Sequence, residues 1–318
     1  MSNELGKAIP MPVPVAPQAV PPKTFVASVY PDEPLEQGFG EAVQELESAL
    51  GMPVWLVVQN EHDHADPQHR YCVLGEDLKD STFHQLSSLP PKKHVAVLID
   101  SPGGEARAAY QIARLLQRHC NGFVAVIPRQ AKSAATLLAL GANRVLMHEH
   151  AELGPLDAQI FDRDREEYGS ALNEVQALER LHASAMDLFD STMVLLLQRS
   201  GKRVDTVMPL ALDFIAKTTR PLFEKLDTVH LTATSRVLKV AESYAIRLLK
   251  PIYKDHSEQI ARNLVYNYPE HGFVIDHDEA ASLGLLLDRP SDAQNAALER
   301  IIPFLESMTA VGLVKEKS

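Results

Sequence analysis

Short apolar runs alternate with helical stretches between residues 94 and 148, and this alternation constrains the fold more than any other feature of the sequence. The runs HVAVLID, GFVAVI and RVLMH, at residues 94–100, 122–127 and 144–148, are continuous, which is typical of strands buried on both faces of a sheet. The stretches between them carry apolar residues at helical spacing. The pattern strand, helix, strand, helix, strand predicts parallel pairing with right-handed crossovers, and therefore an α/β fold.

Polar motifs follow two of these strands directly. IDSPGGEA closes the first strand, and QAKSAAT follows the second. Since parallel strands end at the same edge of a sheet, we expect Gly103 and Gly104 to lie beside Ser133. Acyl transfer needs a hydroxyl nucleophile and backbone NH groups aimed at the developing oxyanion. The sequence therefore predicts Ser133 as a nucleophile, with an oxyanion hole formed by the glycine turn and the NH of Ala134.

Simpler interpretations of both motifs stay open at this point. A Gly-Gly turn between a strand and a helix is also a common tight turn or a phosphate site, although no phosphate-loop signature is present. A serine in front of an alanine-rich helix is also a common N-cap.

The motifs resemble those of a known family. IDSPGGEA resembles the strand-turn motif of the Clp protease proteolytic subunit and of signal peptide peptidase A, and AKSAATLLALGA resembles their nucleophile helix. Together with ELGPLDAQI, LFEKLDTVHLTATSRVLKVAESYAIRLL and YPEHGFVIDHDEAASLGL, they are most similar to the serine dehydrogenase proteinase family, over roughly residues 90–288. The resemblance implies a Clp protease/crotonase-like fold: a repeated ββα superhelix with parallel strands and an α-helical insertion or lobe.

The resemblance also implies roles for single residues. Ser133 falls on the family nucleophile, Gly103 and Gly104 on the oxyanion turn, and Ala134 on the second NH donor. Ala135 stands where the family motif usually carries glycine, which would narrow the space beside the helix and weaken activity.

The identity of the general base is left open. The Clp subunit carries a histidine on the segment after the nucleophile helix, where this chain offers Asp157. A carboxylate is a poor base for a serine hydroxyl unless burial raises its pKa. His271 lies near the place of the third triad member, so the predicted catalytic set is the nucleophile with Asp157 and His271. His148, His150 and Lys132 are further candidates for the base.

The histidine-rich loop near residue 65 predicts no metal site. His62, His64 and His69 follow no zinc-ligand spacing and lie among acidic, polar residues, so we expect a solvated loop. Neither a metal nor a cofactor is expected. The formal net charge of -11 also argues against binding to nucleic acid, because phosphates would be repelled by most of the surface.

The chain divides by composition into three parts. Residues 1–36 are predicted to be a proline-rich flexible arm, residues 37–290 a Clp/crotonase-like domain with a helical lobe at about 165–266, and residues 291–318 a C-terminal helix and tail. No signal sequence and no apolar run of about 18 residues is present, so we expect a cytoplasmic protein without a membrane span.

The predicted function is that of a cytosolic serine peptidase acting on peptide or protein substrates. The habit of the fold group and the apolar faces of the helices after residue 170 predict a homo-oligomer. No ATP-binding motif is present, so any energy-dependent unfolding would need a separate partner protein. Two alternatives remain, a crotonase-type acyl-coenzyme A enzyme and a catalytically silent scaffold or adaptor.

Overall fold

The computed structural model describes residues 23–60, 70–162 and 167–317. The described strands are β1 (Phe25–Ala27), β2 (Val54–Val58), β3 (Val95–Asp100), β4 (Phe123–Ile127), β5 (Gln130–Ala131), β6 (Arg144–Met147), β7 (Glu152–Leu153), β8 (Gln159–Asp162), β9 (Glu167–Ser170), β10 (Leu287–Asp288) and β11 (Ala310–Glu316). The described α-helices are α1 (Gln37–Leu50), α2 (Glu76–Gln85), α3 (Ala106–His119), α4 (Ala134–Ala139), α5 (Ala171–Ser200), α6 (Val204–Phe223), α7 (Thr228–Tyr253), α8 (Ser257–Tyr266), α9 (His277–Ser282) and α10 (Asp292–Ile301). Short 3-10 turns follow three of the helices, at Leu86–Ser88, Lys254–His256 and Ile302–Phe304.

A seven-stranded sheet in the order β1-β11-β2-β3-β4-β6-β10 forms the centre of the molecule. The strands from β2 to β10 in this order pair in parallel, while β11 is antiparallel to both of its neighbours. Each residue of β3 is buried, as the continuous apolar run predicts. The mostly parallel sheet with helices between its strands confirms the predicted α/β fold.

Helices cover both faces of the sheet. Successive side chains of a strand point to opposite faces, so Trp55 and Val57 belong to the core under α2, α3, α4, α7 and α8, whereas Leu56 and Val58 belong to the core under α1 and α10. All four side chains are fully buried. Because β2 is apolar on both faces, it can lie only inside the sheet.

The predicted arm ends earlier than residue 36. Residues 25–27 form β1, which pairs with β11, and the Phe25 ring is fully buried against Gly40. A side chain at Gly40 would begin 2.2 Å from Cγ of Phe25, so this contact requires glycine. The apolar, β-branched sequence TFVASVY suits an edge strand, which is why the arm boundary at 36 is wrong. Residues 1–22 lie outside the described residues.

The predicted C-terminal tail is also part of the sheet. After α10, residues 310–316 form β11 between β1 and β2, and residues 310–314 are buried. The sequence AVGLV is apolar throughout. A free tail would expose this apolar surface to water, whereas pairing in the sheet buries it.

Helices α5 to α8 fill the region predicted to be helical. Pro221 and Pro251 lie inside α6 and α7, in the last turn of each helix. A proline removes only its own NH from the helical ladder. The next amides still close the turns, since Glu224 donates to the carbonyl of Arg220. Among the residues described, none of these helices is long and apolar enough to cross a bilayer.

Candidate active site

The glycine turn after β3 lies directly against the start of α4. Gly103 and Gly104 have φ angles of +112° and +135°, which disfavour any residue with a side chain. A Cβ atom on Gly103 would lie 2.7 Å from the carbonyl oxygen of Lys132, 3.0 Å from Cβ of Ser133 and 3.2 Å from the backbone nitrogen of Ala134. The turn therefore approaches Ser133 so closely that there is no room for a side chain at Gly103.

Backbone hydrogen bonds beyond the ends of β3 and β4 hold the two loops together. The amide of Ser101 donates to the carbonyl of Gln130 over 3.1 Å, and the amide of Lys132 donates to the carbonyl of Ser101 over 3.0 Å. This parallel pairing fixes the glycine turn relative to the first residue of α4.

Ser133 has an unusual backbone conformation at the junction of β5 and α4. Its φ is +49° and its ψ is -115°, and a positive φ is uncommon for a residue with a side chain. Lys254 at the end of α7 has almost the same angles, φ +49° and ψ -116°. A backbone conformation of this kind therefore does not by itself mark a catalytic residue. The case for Ser133 also depends on its closeness to the glycine turn.

The backbone NH groups around Ser133 differ in whether they donate a hydrogen bond within the chain. The NH of Gly103 donates to Oγ of Ser101 over 3.1 Å. Within the described chain, no acceptor is hydrogen-bonded to the NH of Gly104 or to that of Ala134. The NH groups of Gly104 and Ala134 are thus the ones that could bind an oxyanion. The missing side chain of Gly103 allows the turn to approach Ser133 closely.

A buried hydrogen-bond network that the sequence analysis missed holds the glycine turn. The fully buried Ser101 donates its hydroxyl to Oε1 of Gln59 over 2.7 Å, and Gln59 donates to the carbonyl of Tyr71 over 2.8 Å. Gln59 directly follows the buried strand β2, and a polar residue at such a strand end was the signal available in the sequence.

Removing the hydroxyl of Ser101 is expected to destabilise the protein. Ser101→Ala leaves the oxygen of Gln59 and the NH of Gly103 buried without their partner, which costs about 1–3 kcal/mol. The measurement is urea-induced unfolding followed by circular dichroism. Ser191→Ala is the matched control, because its hydroxyl bonds only the carbonyl of Asp187 on an exposed helix surface. Equal unfolding midpoints for the two variants would contradict the role of the network.

Among the described residues, neither Asp157 nor His271 forms a hydrogen bond to Ser133. Asp157 is buried and accepts a hydrogen bond from the NH of Leu172, over 3.2 Å, at the start of α5. Nδ1 of His271 is buried and has no hydrogen-bond partner within the described residues. The segment of His271 does reach β7, because Ile275 exchanges backbone hydrogen bonds of 2.8 and 3.0 Å with Leu153.

The remaining candidates for the base have other contacts. The Lys132 ammonium forms an ion pair with Oε1 of Glu152 at 2.7 Å, and the lysine stem passes over Gly154. Nδ1 of His148 accepts a weak hydrogen bond of 3.4 Å from the NH of His150. Burial, assisted by the neighbouring imidazole of His150, lowers the pKa of His148. No hydrogen bond joins any of these three side chains to Ser133 in the described part of the chain.

The last residue of β3, Asp100, carries another buried carboxylate. Asp100 is fully buried, and burial raises its pKa, while the guanidinium of Arg129, 2.7 Å away, opposes this rise. Arg129 binds both carboxylate oxygens of Asp100. This pairing fixes the strand end and occupies both carboxylate oxygens of Asp100.

Ala135, which is expected from the sequence to narrow the space beside the helix, lies in the protein core. Its side chain is fully buried in the core, and its NH donates to the carbonyl of Lys132 over 2.8 Å. The methyl group that replaces the usual glycine hydrogen thus packs in the interior.

Within residues 23–60, 70–162 and 167–317, no cluster of three or more histidine, cysteine or acidic side chains could hold a metal ion. His62, His64 and His69, predicted to lie in a solvated loop, are outside the described residues.

Residues 71–220, which include the glycine turn and Ser133, match the model of a known protein family. That family is the ClpP-like SDH-type serine proteinases, to which this part of the chain is similar. This match confirms the resemblance inferred from IDSPGGEA and AKSAATLLALGA.

Two curated relatives, both uncharacterized proteins of Methanocaldococcus jannaschii, are similar to this chain. MJ0137 is 27% identical over 223 residues, which are 70% of this chain and 62% of the relative. MJ1495 is 32% identical over 220 residues, which are 69% of this chain and 60% of the relative. The chain thus spans about three fifths of the length of the curated relatives it matches.

Solved structures give weaker likenesses. A mutant of the 1510-N membrane-bound stomatin-specific protease is 17% identical with a TM-score of 0.27, covering 46% of this chain and 66% of its own. A Pseudomonas malonate decarboxylase hetero-tetramer in complex with malonate is 18% identical with a TM-score of 0.23, covering 33% of this chain and 50% of its own. Methylmalonyl CoA decarboxylase is 12% identical with a TM-score of 0.23, covering 60% of this chain and 85% of its own. Similarities with TM-scores this low do not indicate the function of this chain.

Proposed function

We propose that this protein hydrolyses peptide bonds with Ser133 as its nucleophile and with the amides of Gly104 and Ala134 as its oxyanion hole. The observation that carries the proposal is the close approach of the turn to the start of α4: a Cβ atom added to Gly103 would lie 3.0 Å from Cβ of Ser133 and 3.2 Å from the nitrogen of Ala134. A substrate carbonyl at this point would meet the hydroxyl on one side and unbonded amides on the other, which is the arrangement that acyl transfer requires.

The proposed reaction has two halves. The Ser133 oxygen forms a bond to the carbonyl carbon, its proton passes to a base, and the oxyanion is held by the NH groups of Gly104 and Ala134. The peptide C–N bond then breaks, the leaving amine takes the proton, and an acyl-enzyme remains. A water molecule, deprotonated by the same base, attacks the acyl carbon and releases the acid and the free serine.

The base is proposed to be His271, with Asp157 as the second member of the set. The buried Nδ1 of His271, which has no hydrogen-bond partner among the described residues, supports this order, because an imidazole nitrogen whose lone pair accepts no other hydrogen bond can accept a proton. Asp157 already accepts the NH of Leu172. Catalytic hydrogen bonds are often long or absent in unliganded sites and form when the substrate binds. Substrate binding is therefore proposed to bring the imidazole of His271 to the hydroxyl of Ser133.

The base is expected to be identified by comparing two variants. His271→Ala should lower kcat/KM about 10²–10⁴-fold while the unfolding midpoint changes little. Asp157→Asn should lower kcat/KM less than His271→Ala does, since an asparagine oxygen can still accept the NH of Leu172. The measurement is the hydrolysis of an unfolded protein substrate, with thermal unfolding as the control for folding. A large loss in Asp157→Asn alone would make Asp157 the base.

A catalytically silent scaffold is the second candidate function. It is favoured by one observation, that no described side chain is hydrogen-bonded to the Ser133 hydroxyl. Labelling of the folded protein with a fluorophosphonate, followed by peptide mass spectrometry, distinguishes the two. Modification at Ser133, lost on heat unfolding, is expected for the peptidase, whereas an unlabelled Ser133 together with no turnover supports the scaffold. The cytoplasmic location and the separate partner remain predictions from the sequence.

A further inference from the structure

Lys132, the residue before the proposed nucleophile, is bonded through its backbone to both parts of the candidate site. Its NH donates to the carbonyl of Ser101, just after β3, over 3.0 Å. Its carbonyl accepts the NH of Ala135, in the first turn of α4, over 2.8 Å. The backbone of Lys132 therefore joins the segment before the glycine turn to the helix that begins after Ser133.

The side chain of Lys132 runs from the candidate site to β7. A Cβ atom added to Gly154 would lie 2.8 Å from Cδ of Lys132, 3.2 Å from its Cα and 3.3 Å from the nitrogen of Ser133. Because Gly154 has no side chain, the lysine stem and the amide of Ser133 can both pack against its backbone. The stem ends at Glu152 of β7, where Nζ lies 2.7 Å from Oε1.

The ion pair with Glu152 is the interaction that compensates the charge of Lys132. The lysine side chain is 15% exposed and the glutamate side chain is 28% exposed. Nζ of Lys132 is buried and has no hydrogen-bond partner among the residues that the structure describes. Removal of the carboxylate would therefore leave a buried ammonium without its counterion, which is unfavourable.

Glu152 is itself held in place by backbone pairing. It is the partner of Gln130 in the parallel pairing of β5 with β7, and its NH donates to the carbonyl of Arg129 over 2.8 Å. Two residues further on, the NH of Gly154 donates to the carbonyl of Ala131 over 3.1 Å. The carboxylate of Glu152 is thus attached to a fixed strand, and the ion pair ties the lysine side chain to that strand.

We propose that Lys132 is a positioning residue whose ion pair with Glu152 keeps Ser133 in its strained backbone conformation. This inference rests on the proposed function, in which the Ser133 hydroxyl attacks the substrate carbonyl. Ser133 has a φ of +49°, and such a conformation persists only where the surroundings fix it. Because a change in this φ rotates the peptide group shared with Lys132 relative to α4, anchoring the lysine side chain opposes the change.

Loss of the ion pair is expected to lower turnover rather than substrate binding. Lys132→Met keeps a stem of similar shape along Gly154 but removes the positive charge, and Glu152→Gln removes the negative charge. Since a misplacement of about 1 Å can cost about 100-fold in rate, each variant should lower kcat about 10–100-fold and change KM less than about twofold. Both variants lose the same interaction, so the double variant should be no slower than the slower single one.

Lys132→Arg distinguishes positioning from proton transfer by the lysine. A guanidinium can pair with Glu152, but it stays protonated and cannot act as a base. We expect Lys132→Arg to keep kcat within about threefold of the wild-type value. Lys239→Met is the matched control, because it removes an ion pair of the same length, 2.7 Å, whose two members both lie on α7. The control should keep wild-type kcat and KM.

A crystal structure of Lys132→Met gives a readout that does not depend on turnover, and we expect Ser133 to leave its positive φ in this variant. Unchanged Ser133 angles, wild-type kcat in both single variants, or a Lys132→Arg variant as slow as Lys132→Met would each overturn the inference. If the wild-type protein hydrolyses no peptide, the proposed function fails, and the crystal structure alone decides the positioning role. Circular dichroism verifies that each variant is folded.

Discussion

Ser133→Ala is expected to lower kcat/KM for peptide hydrolysis by at least about 10³-fold, because the variant lacks the atom that attacks the carbonyl. The helix start and the oxyanion amides remain, so substrate binding should change far less than turnover. The measurement is steady-state hydrolysis of an unfolded protein substrate by the two proteins at equal concentration. Ser191→Ala, on the exposed surface of α5, is the control and should retain wild-type activity.

A second variant at the same position separates chemistry from stability. Ser133→Gly also removes the hydroxyl, but glycine tolerates the φ of +49° that strains a residue with a side chain. We expect Ser133→Gly to be as inactive as Ser133→Ala and more stable than it by about 1 kcal/mol. An active alanine variant would contradict the role of Ser133, and equal stabilities would contradict the strain.

Gly103→Ala is expected to impair both stability and turnover. The new Cβ would lie 2.7 Å from the carbonyl oxygen of Lys132 at a φ of +112°, so the turn or the start of α4 must move. Backbone strain of this kind costs about 1–3 kcal/mol. Because movement of the turn displaces the NH of Gly104, kcat should fall about 10²-fold or more, as it does on loss of one oxyanion donor.

Chemical denaturation and steady-state kinetics on the same preparation test this prediction. Gly169→Ala is the matched control, since an added Cβ there meets only the carbonyl of Ile160, at 4.0 Å, and its φ is not positive. The control should keep both stability and activity. Wild-type turnover in Gly103→Ala would show that the glycine turn takes no part in catalysis.

The parallel core and the meeting of the two motifs could be predicted because they depend on local patterns. The apolar run at 94–100 became β3 at Val95–Asp100, and the run at 122–127 became β4 at Phe123–Ile127. Parallel strands end at one edge, and this alone places Ser133 beside Gly103.

Long-range pairing could not be predicted in the same way. β1 pairs with β11 although Phe25 and its partner Glu316 lie at opposite ends of the sequence, and no local pattern encodes such a choice. The same holds for Gln59, whose partner Ser101 is 42 residues away. Prolines predict helix ends from the missing NH alone, yet Pro251 stays inside α7 because the amides around it still close the turn.

The base could not be read from the sequence because it depends on where side chains of distant segments point. Asp157 occupies the position where a related subunit carries histidine, but its carboxylate accepts the NH that begins α5. The segment that carries His271 reaches β7 through the pairing of Ile275 with Leu153, which are far apart in the sequence.

The central claim is that one hydroxyl and two amides converge on a single point. The most direct measurement is a crystal structure of the protein inactivated by a fluorophosphonate, in which the phosphoryl oxygen stands in for the oxyanion of the tetrahedral intermediate. We predict phosphorus bound to Oγ of Ser133 and its oxygen about 2.7–3.1 Å from the backbone nitrogens of Gly104 and Ala134. An adduct on another residue, or a phosphoryl oxygen that contacts neither amide, would contradict this account.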